Sequence, residues 1–352
     1  INLTSNTKSA SIGIPCLNPN EVTEIIKFVF SLSFLNILFI SFLVSIKLGA
    51  ATISLKEMFS ILLDTSNNKN LLILKEIRIP RVLGAALVGA ALATSGAIMQ
   101  GVTKNPLADP SLLGVSSGSS LALVLSVVLY PNLGYLGRTI FCFIGATLGT
   151  IIVINISQVK YGKMSTFRLV LAGSSISALF YAISEAIGLY FRISKDTSMW
   201  NNAGLIGTSW SQIIFICPFI FIGCIIALSY SKQLTILSLN EELSIALGQK
   251  TKKIRFILLG TNIILAGSSV ALAGNLTFIG LIIPHIVRKF IGSDYKFIIP
   301  ISILAGASLV LLSDTLARTI SIPYETPISA ITSIMGLPFF LFIIFKEGKL
   351  HS

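Results

Sequence analysis

Residues 78 to 118 read Arg-Ile-Pro-Arg-Val-Leu-Gly-Ala-Ala-Leu-Val-Gly-Ala-Ala-Leu-Ala-Thr-Ser-Gly-Ala-Ile-Met-Gln-Gly-Val-Thr-Lys-Asn-Pro-Leu-Ala-Asp-Pro-Ser-Leu-Leu-Gly-Val-Ser-Ser-Gly. Two arginines flank a proline, and the stretch from Val82 to Thr103 carries no charge. Twenty residues of helix rise about 30 Å at ~1.5 Å per residue, enough to cross a bilayer core. Ala85, Gly89, Ala93, Ala97 and Gly101 recur at every fourth position, so one helix face is nearly free of side chains. In lipid such a face lets another backbone approach closely. Two readings follow: a tightly packed membrane helix, or a helix beside a substrate path with a docking end at its arginines and a hinge at Asn105-Pro106.

The rest of the chain extends the membrane reading. Hydrophobic residues make up 53% and charged residues 11% of the sequence, with mean hydropathy +0.87. Soluble domains carry about 25% charge, so a polytopic membrane protein is expected. The net charge of +12 comes from basic residues between apolar runs, which act as orientation signals rather than a nucleic-acid patch. Cys142, Cys217 and Cys224 fall in apolar spans and Cys16 in a polar tail, with no metal-ligand or disulfide spacing.

Apolar segments lie near 28–46, 82–103, 112–130, 139–157, 168–191, 211–230, 256–274, 278–291, 297–316 and 328–345. The expected fold is all-α, with about ten transmembrane helices and short re-entrant or interfacial ones. The eighth segment is short enough to be broken or tilted. Of the 26 Lys and Arg residues, sixteen fall on one side and ten on the other, which predicts both termini in the cytoplasm. The expected organisation is a polar tail over 1–24 without a secretory signal pattern, a transmembrane domain over 25–347, and a C-terminal tail over 348–352. An outer loop over 47–81 holds a capping box, Ser54 to Glu57, that opens a short helix. Trp200, Asn201 and Asn202 suit an interfacial segment.

The largest cytoplasmic loop spans 231–255. Asn240 can cap a short helix there, Glu241 and Glu242 sit at its positive end, and Gly248 can close it. Leu243, Ala246 and Leu247 give it an apolar face, suited to a groove on another protein or to an ordinary solvated loop.

Catalytic chemistry finds little support. Gly248-Gln-Lys-Thr251 lacks the leading glycine of a phosphate loop, so the chain is not expected to hydrolyse nucleotide. Glu185 and Asp314 are the intramembrane acids, each expected to meet a local hydroxyl or amide. His285 and His351 have no neighbours at metal spacing, and no cofactor is expected on this chain.

The runs 78–81, 89–100 and 105–114 resemble a known family, joined by Leu-Ala-Gly at 171–173 and Thr-Phe-Ile-Gly-Leu-Ile-Ile-Pro-His-Ile-Val-Arg at 277–288. Leu-Ala-Gly-Ala-Ser at 304–308, Ser-Asp-Thr-Leu-Ala-Arg at 313–318 and the run 322–340 complete the set. Together they resemble the permease subunits of ATP-driven importers for iron–siderophore complexes, haem and vitamin B12, of FecCD type. The resemblance implies a bacterial cytoplasmic-membrane protein that pairs with a second permease, two cytoplasmic ATPase subunits holding ATP–Mg, and an external substrate-binding protein. It assigns binding-protein docking to Arg78, Arg81 and Arg318, and charge reversal at Arg78 and Arg81 is expected to weaken association without unfolding. A cytoplasmic gate is implied at Asn105, Leu107, Thr166 and Phe167, the last departing from the family's small hydroxyl residues. Coupling to the ATPase is implied at Glu241, Glu242, Leu243, Ala246, Leu247 and Gly248. An ion-coupled secondary transporter is the alternative, and it needs a polar cluster at membrane depth.

Overall fold

The computed structural model describes residues 19–48, 72–158, 166–194, 197, 204–239, 241–321 and 324–348. Cys16, the capped helix expected from Ser54, the segment Trp200 to Asn202, Asn240 and His351 lie outside the described residues. Helices occupy each of the ten apolar segments. They are α1 (Pro19–Lys47), α2 (Ile79–Thr103), α3 (Val115–Leu129), α4 (Tyr135–Gln158), α5 (Thr166–Tyr190) and α6 (Trp210–Ser229). Two short helices follow, α7 (Ser231–Leu239) and α8 (Glu241–Ala246). The chain then forms α9 (Thr251–Ala273), α10 (Ile279–Ile291), α11 (Tyr295–Thr319) and α12 (Ile328–Gly348). Among the described residues, seven helices are long and apolar enough to cross a membrane, while α3, α10 and the described side-chain part of α12 are shorter. α1 begins at Pro19, inside the stretch expected to be a polar tail, and proline is well tolerated in a first helical turn.

α2 is the axis of the molecule. Across its most apolar window 83% of residues are buried, against 11% for α5. A Cβ added at Gly89 would meet the backbone of Gly306 in α11, and one at Gly96 would meet the backbone of Gly280 in α10. At Gly101 it would meet the side chains of Leu234 in α7 and Tyr295 in α11. Arg81 contacts Asp314 near the start of α2, so α2 and α11 run antiparallel over their whole length. The small-residue face is therefore filled by other helices and serves packing. The same device joins α3 to α4, where Gly118 lies against Gly145. Ser95 in α2 donates to Asn262 in α9 at 2.5 Å, a buried cross-link at mid-helix.

Two local departures mark the ends of α2. A π-helical turn over Leu74–Arg78 precedes it. Pro80 lacks the amide hydrogen owed to the Glu76 carbonyl, and the wider turn accommodates that break. At the far end Lys104 adopts a left-handed conformation, φ 55°, and stops the helix. α7 was not expected from sequence, which read residues 231–239 as loop; Leu234 and Leu237, three apart, bury one face of it.

Candidate functional site

The three predicted docking arginines converge at one end of the bundle, but their side chains turn inward. Arg78, Arg81 and Arg318 are only 6–7% exposed. Arg81 Nε donates to Asp314 Oδ1 at 2.9 Å, and its Nη1 donates to both Glu325 oxygens at 3.0 and 2.9 Å. Arg318 Nη2 lies 3.0 Å from Asp314 Oδ2 and donates to the Ser45 hydroxyl at 2.9 Å. Arg78 Nη1 donates to the Ile46 carbonyl at 2.9 Å. Asp314 is wholly buried and Glu325 is 35% exposed.

This corrects the reading of Asp314 as a partner of local hydroxyls or amides. Buried between two guanidiniums, its carboxylate is paired with both and Glu325 adds a second negative charge at Arg81, because a buried ion persists only when paired. Reversing Arg81 would set a carboxylate against buried Asp314 and leave Arg318 as its remaining ion-pair partner, so loss of folding would be expected along with any loss of docking. Glu185 also departs from expectation: it is exposed on α5 and makes no hydrogen bond or ion pair with a described residue.

At the opposite end, the turn after α2 is built by Asn105. Its Oδ1 accepts from the Leu107 amide at 2.9 Å, and its carbonyl accepts from the Ala108 amide at 3.1 Å. Asn105 thus acts on the backbone of the turn. Leu107 packs against an apolar cluster of Leu281 and Ile282 from α10 and Ile343 from α12, bordered by Phe339 and Phe340. Thr166 and Phe167 open α5, and their side chains lie outside the described ones.

α8 follows α7 on this same side. Leu243 is 45% and Leu247 60% exposed, and Ala246 and Glu242 are exposed too. Gly248, at φ 77°, reverses the chain as expected, and the Gln249 amide donates to the Ser244 carbonyl at 3.0 Å. The Glu241 side chain lies outside the described ones. The apolar residues of α8 face away from the chain's own core. The Ser244 hydroxyl points inward and donates to the Ile236 carbonyl of α7 at 3.0 Å.

Among the described residues no group of three or more His, Cys, Asp or Glu is placed to hold a metal ion. Cys142 is buried, and Cys217 and Cys224 are half-buried, all as free thiols. Sequence reasoning missed Glu325 as a partner of Arg81, and the polar set of buried Gln100 and Tyr295 with half-buried Arg288 described below. Their only signal was a lone polar group within or beside an apolar helix.

Among the described residues, an all-helical bundle with seven helices long and apolar enough to cross a membrane defines a multi-pass membrane protein. Residues 37–346 match the model of the FecCD transport family, and the chain belongs to that family. It is 42% identical over 311 residues to the iron-uptake system permease protein FeuB of Bacillus subtilis, covering 88% of this chain and 93% of that one. It is 40% identical over 306 residues to the iron(3+)-hydroxamate import system permease protein FhuB of the same organism, covering 87% and 80%. Identity is 39% over 321 residues to the hemin transport system permease protein HmuU of Yersinia pestis, covering 88% and 95%. A solved structure described as an inward-facing metal-chelate type ABC transporter superposes with TM-score 0.77 at 27% identity, covering 90% of this chain and 98% of that one. The family match supports an importer permease and gives no support to an ion-coupled secondary transporter.

Proposed function

We propose that this permease moves a ferric chelate, with a siderophore complex as leading substrate and haem as second, in an assembly with a second permease, two ATPase subunits and an external binding protein. The observation that carries the ATP-driven reading is α8, a short helix whose Leu243 and Leu247 side chains stay exposed at the end opposite the arginines. Among the described residues, none covers Leu243 or Leu247 enough to bury it. A groove on an ATPase subunit suits this face, because a short helix binds through a few apolar anchors. ATP–Mg then belongs to that partner.

A second permease is supported by volume. The apolar cavity lined by Ile282, Ile283, Leu309, Met335 and Phe339 holds about 180 Å³. Pockets for drug-sized ligands run to roughly 300–1,000 Å³, so this cavity by itself is too small for a chelate, and a paired permease would supply a larger space between the two. The thinly covered helix α5 offers a face for pairing.

At the other end the arginine cluster holds three guanidiniums against two carboxylates, a local excess of one positive charge. Half-exposed Glu325 and the surrounding rim would meet the binding protein there, with the buried arginines setting the sign of the surface field. Asn105 and Leu107, with Thr166 and Phe167, are the proposed inner gate. The substrate test is uptake by the complete reconstituted transporter, offered ferric hydroxamate, ferric catecholate, ferric citrate and haem in turn. Preference for one ferric chelate or haem is expected; ATP-dependent transport of none of them would overturn the substrate class.

A further inference from the structure

Pro284 sits inside α10 and brings no amide hydrogen, so the Gly280 carbonyl four residues earlier lacks its usual helical donor. Gln100 of α2 supplies one. Its Nε2 donates to the Gly280 carbonyl at 3.3 Å and to the Leu281 carbonyl at 3.2 Å. The close approach of Gly96 to Gly280, one turn away, brings the two helices near enough for this. The other end of the same amide is also engaged. Gln100 Oε1 accepts from Arg288 Nη2 at 3.1 Å, and that nitrogen donates to the Tyr295 hydroxyl at 2.8 Å.

Tyr295 begins α11, and its amide donates to Thr235 Oγ1 of α7 at 2.9 Å. The Thr235 hydroxyl donates in turn to Asp294 Oδ1 at 3.0 Å. Leu234, beside Thr235, fills the space over Gly101. α7 is tied to α8 through Ser244 and the Ile236 carbonyl. Polar contacts, joined through the backbone of α7 and the body of Tyr295, therefore link the exposed helix α8 to the proline position of α10. They also reach the last turn of α2, four residues before the 104–107 turn.

Gln100 and Tyr295 are almost fully buried, at 2% and 3% exposure. The Gln100 amide has one workable orientation, since rotation would turn its NH₂ toward the guanidinium and leave the Gly280 carbonyl without a donor. A shift of α7 would act on Gln100 through the Thr235–Tyr295 bond and through Leu234, which packs over Gly101.

We propose that Gln100, Arg288 and Tyr295 are positioning residues that transmit displacement of α8 to the 104–107 turn and to the break in α10. The inference rests on the reading of α8 as the ATPase contact, and the experiment separates the two. Leu107→Cys in the complete transporter is labelled with a water-soluble maleimide, with and without ATP and vanadate. With the network intact, nucleotide trapping is expected to change the labelling rate by ~5-fold or more, the lower end of ordinary coupling factors. Tyr295→Phe and Arg288→Gln are expected to reduce the change to under about twofold while ATP hydrolysis continues. Arg288→Lys, able to hold one acceptor at a time, falls between. An undiminished response in Tyr295→Phe and Arg288→Gln overturns the proposal. If Arg288→Gln does not assemble, Tyr295→Phe, which deletes one hydroxyl, decides alone. Crosslinking from Leu243→Cys to the ATPase subunit reports on the premise. No crosslink refutes the α8 reading, whereas a crosslink without any labelling response at Leu107→Cys refutes transmission to this turn.

Discussion

Asp314 and Glu325 both bind Arg81, yet burial separates their energetic weight. Asp314 is fully enclosed and faces two guanidiniums, whereas Glu325 keeps about a third of its side chain in the open. Removing one partner of a buried pair costs about 3–5 kcal/mol, while an exposed pair contributes about 0–1 kcal/mol. Asp314→Asn is therefore predicted to destabilise the permease by several times more than Glu325→Gln, measured by thermal unfolding in detergent. Equal effects would mean that the cluster is hydrated. The three arginines were legible as one set in the sequence because they resemble a family motif. Their partners were not, since Arg81 and Asp314 are 233 residues apart and only the antiparallel pairing of α2 with α11 brings them together. A lone aspartate in an apolar run gives no sign of which distant arginine will meet it.

At the scale of elements, glycine content misleads unless packing is known. Gly96 and Gly260 both lie inside long helices, but a Cβ on Gly96 would strike the backbone of Gly280, while one on Gly260 meets nothing within 4 Å. Gly96→Ala is predicted to destabilise by at least the ~1–3 kcal/mol of an overpacked core. Gly260→Ala is predicted to be neutral or stabilising by up to about 1 kcal/mol, from helix propensity. Thermal unfolding of the two variants checks the contrast, and a stable Gly96→Ala protein would refute the tight α2–α10 crossing. The apolar spans were readable from composition and length, but the fourth-position repeat of small residues left packing and passage both open, and the contacts of Gly89 with Gly306 and Gly96 with Gly280 decide for packing. Residues 231–239 were not readable as helix, because buried Leu234 and Leu237 are too few to establish a period in nine residues. The eighth span was rightly expected to be short or broken. That Gln100 props its proline break is a tertiary fact invisible along the chain.

For the whole molecule, the layout among the described residues is a buried central helix with a charged cluster at one end and, at the other, a turn and the exposed short helix α8. Family membership makes it an importer permease, and the exposed apolar face of α8 is the surface on which the ATP-driven proposal depends. Replacing Leu243 by aspartate puts a charge where an apolar anchor would dock, without touching the chain's own core. The decisive measurement is ATP-dependent uptake of a radiolabelled ferric hydroxamate into proteoliposomes holding the permeases and ATPase subunits, with the binding protein added outside. Uptake is predicted to require ATP and all partners, and Leu243→Asp is predicted to lower it at least ~10-fold while leaving the permease folded, as expected for loss of a binding hot spot. Uptake by the permease alone under an ion gradient, or full activity in Leu243→Asp, would contradict the account.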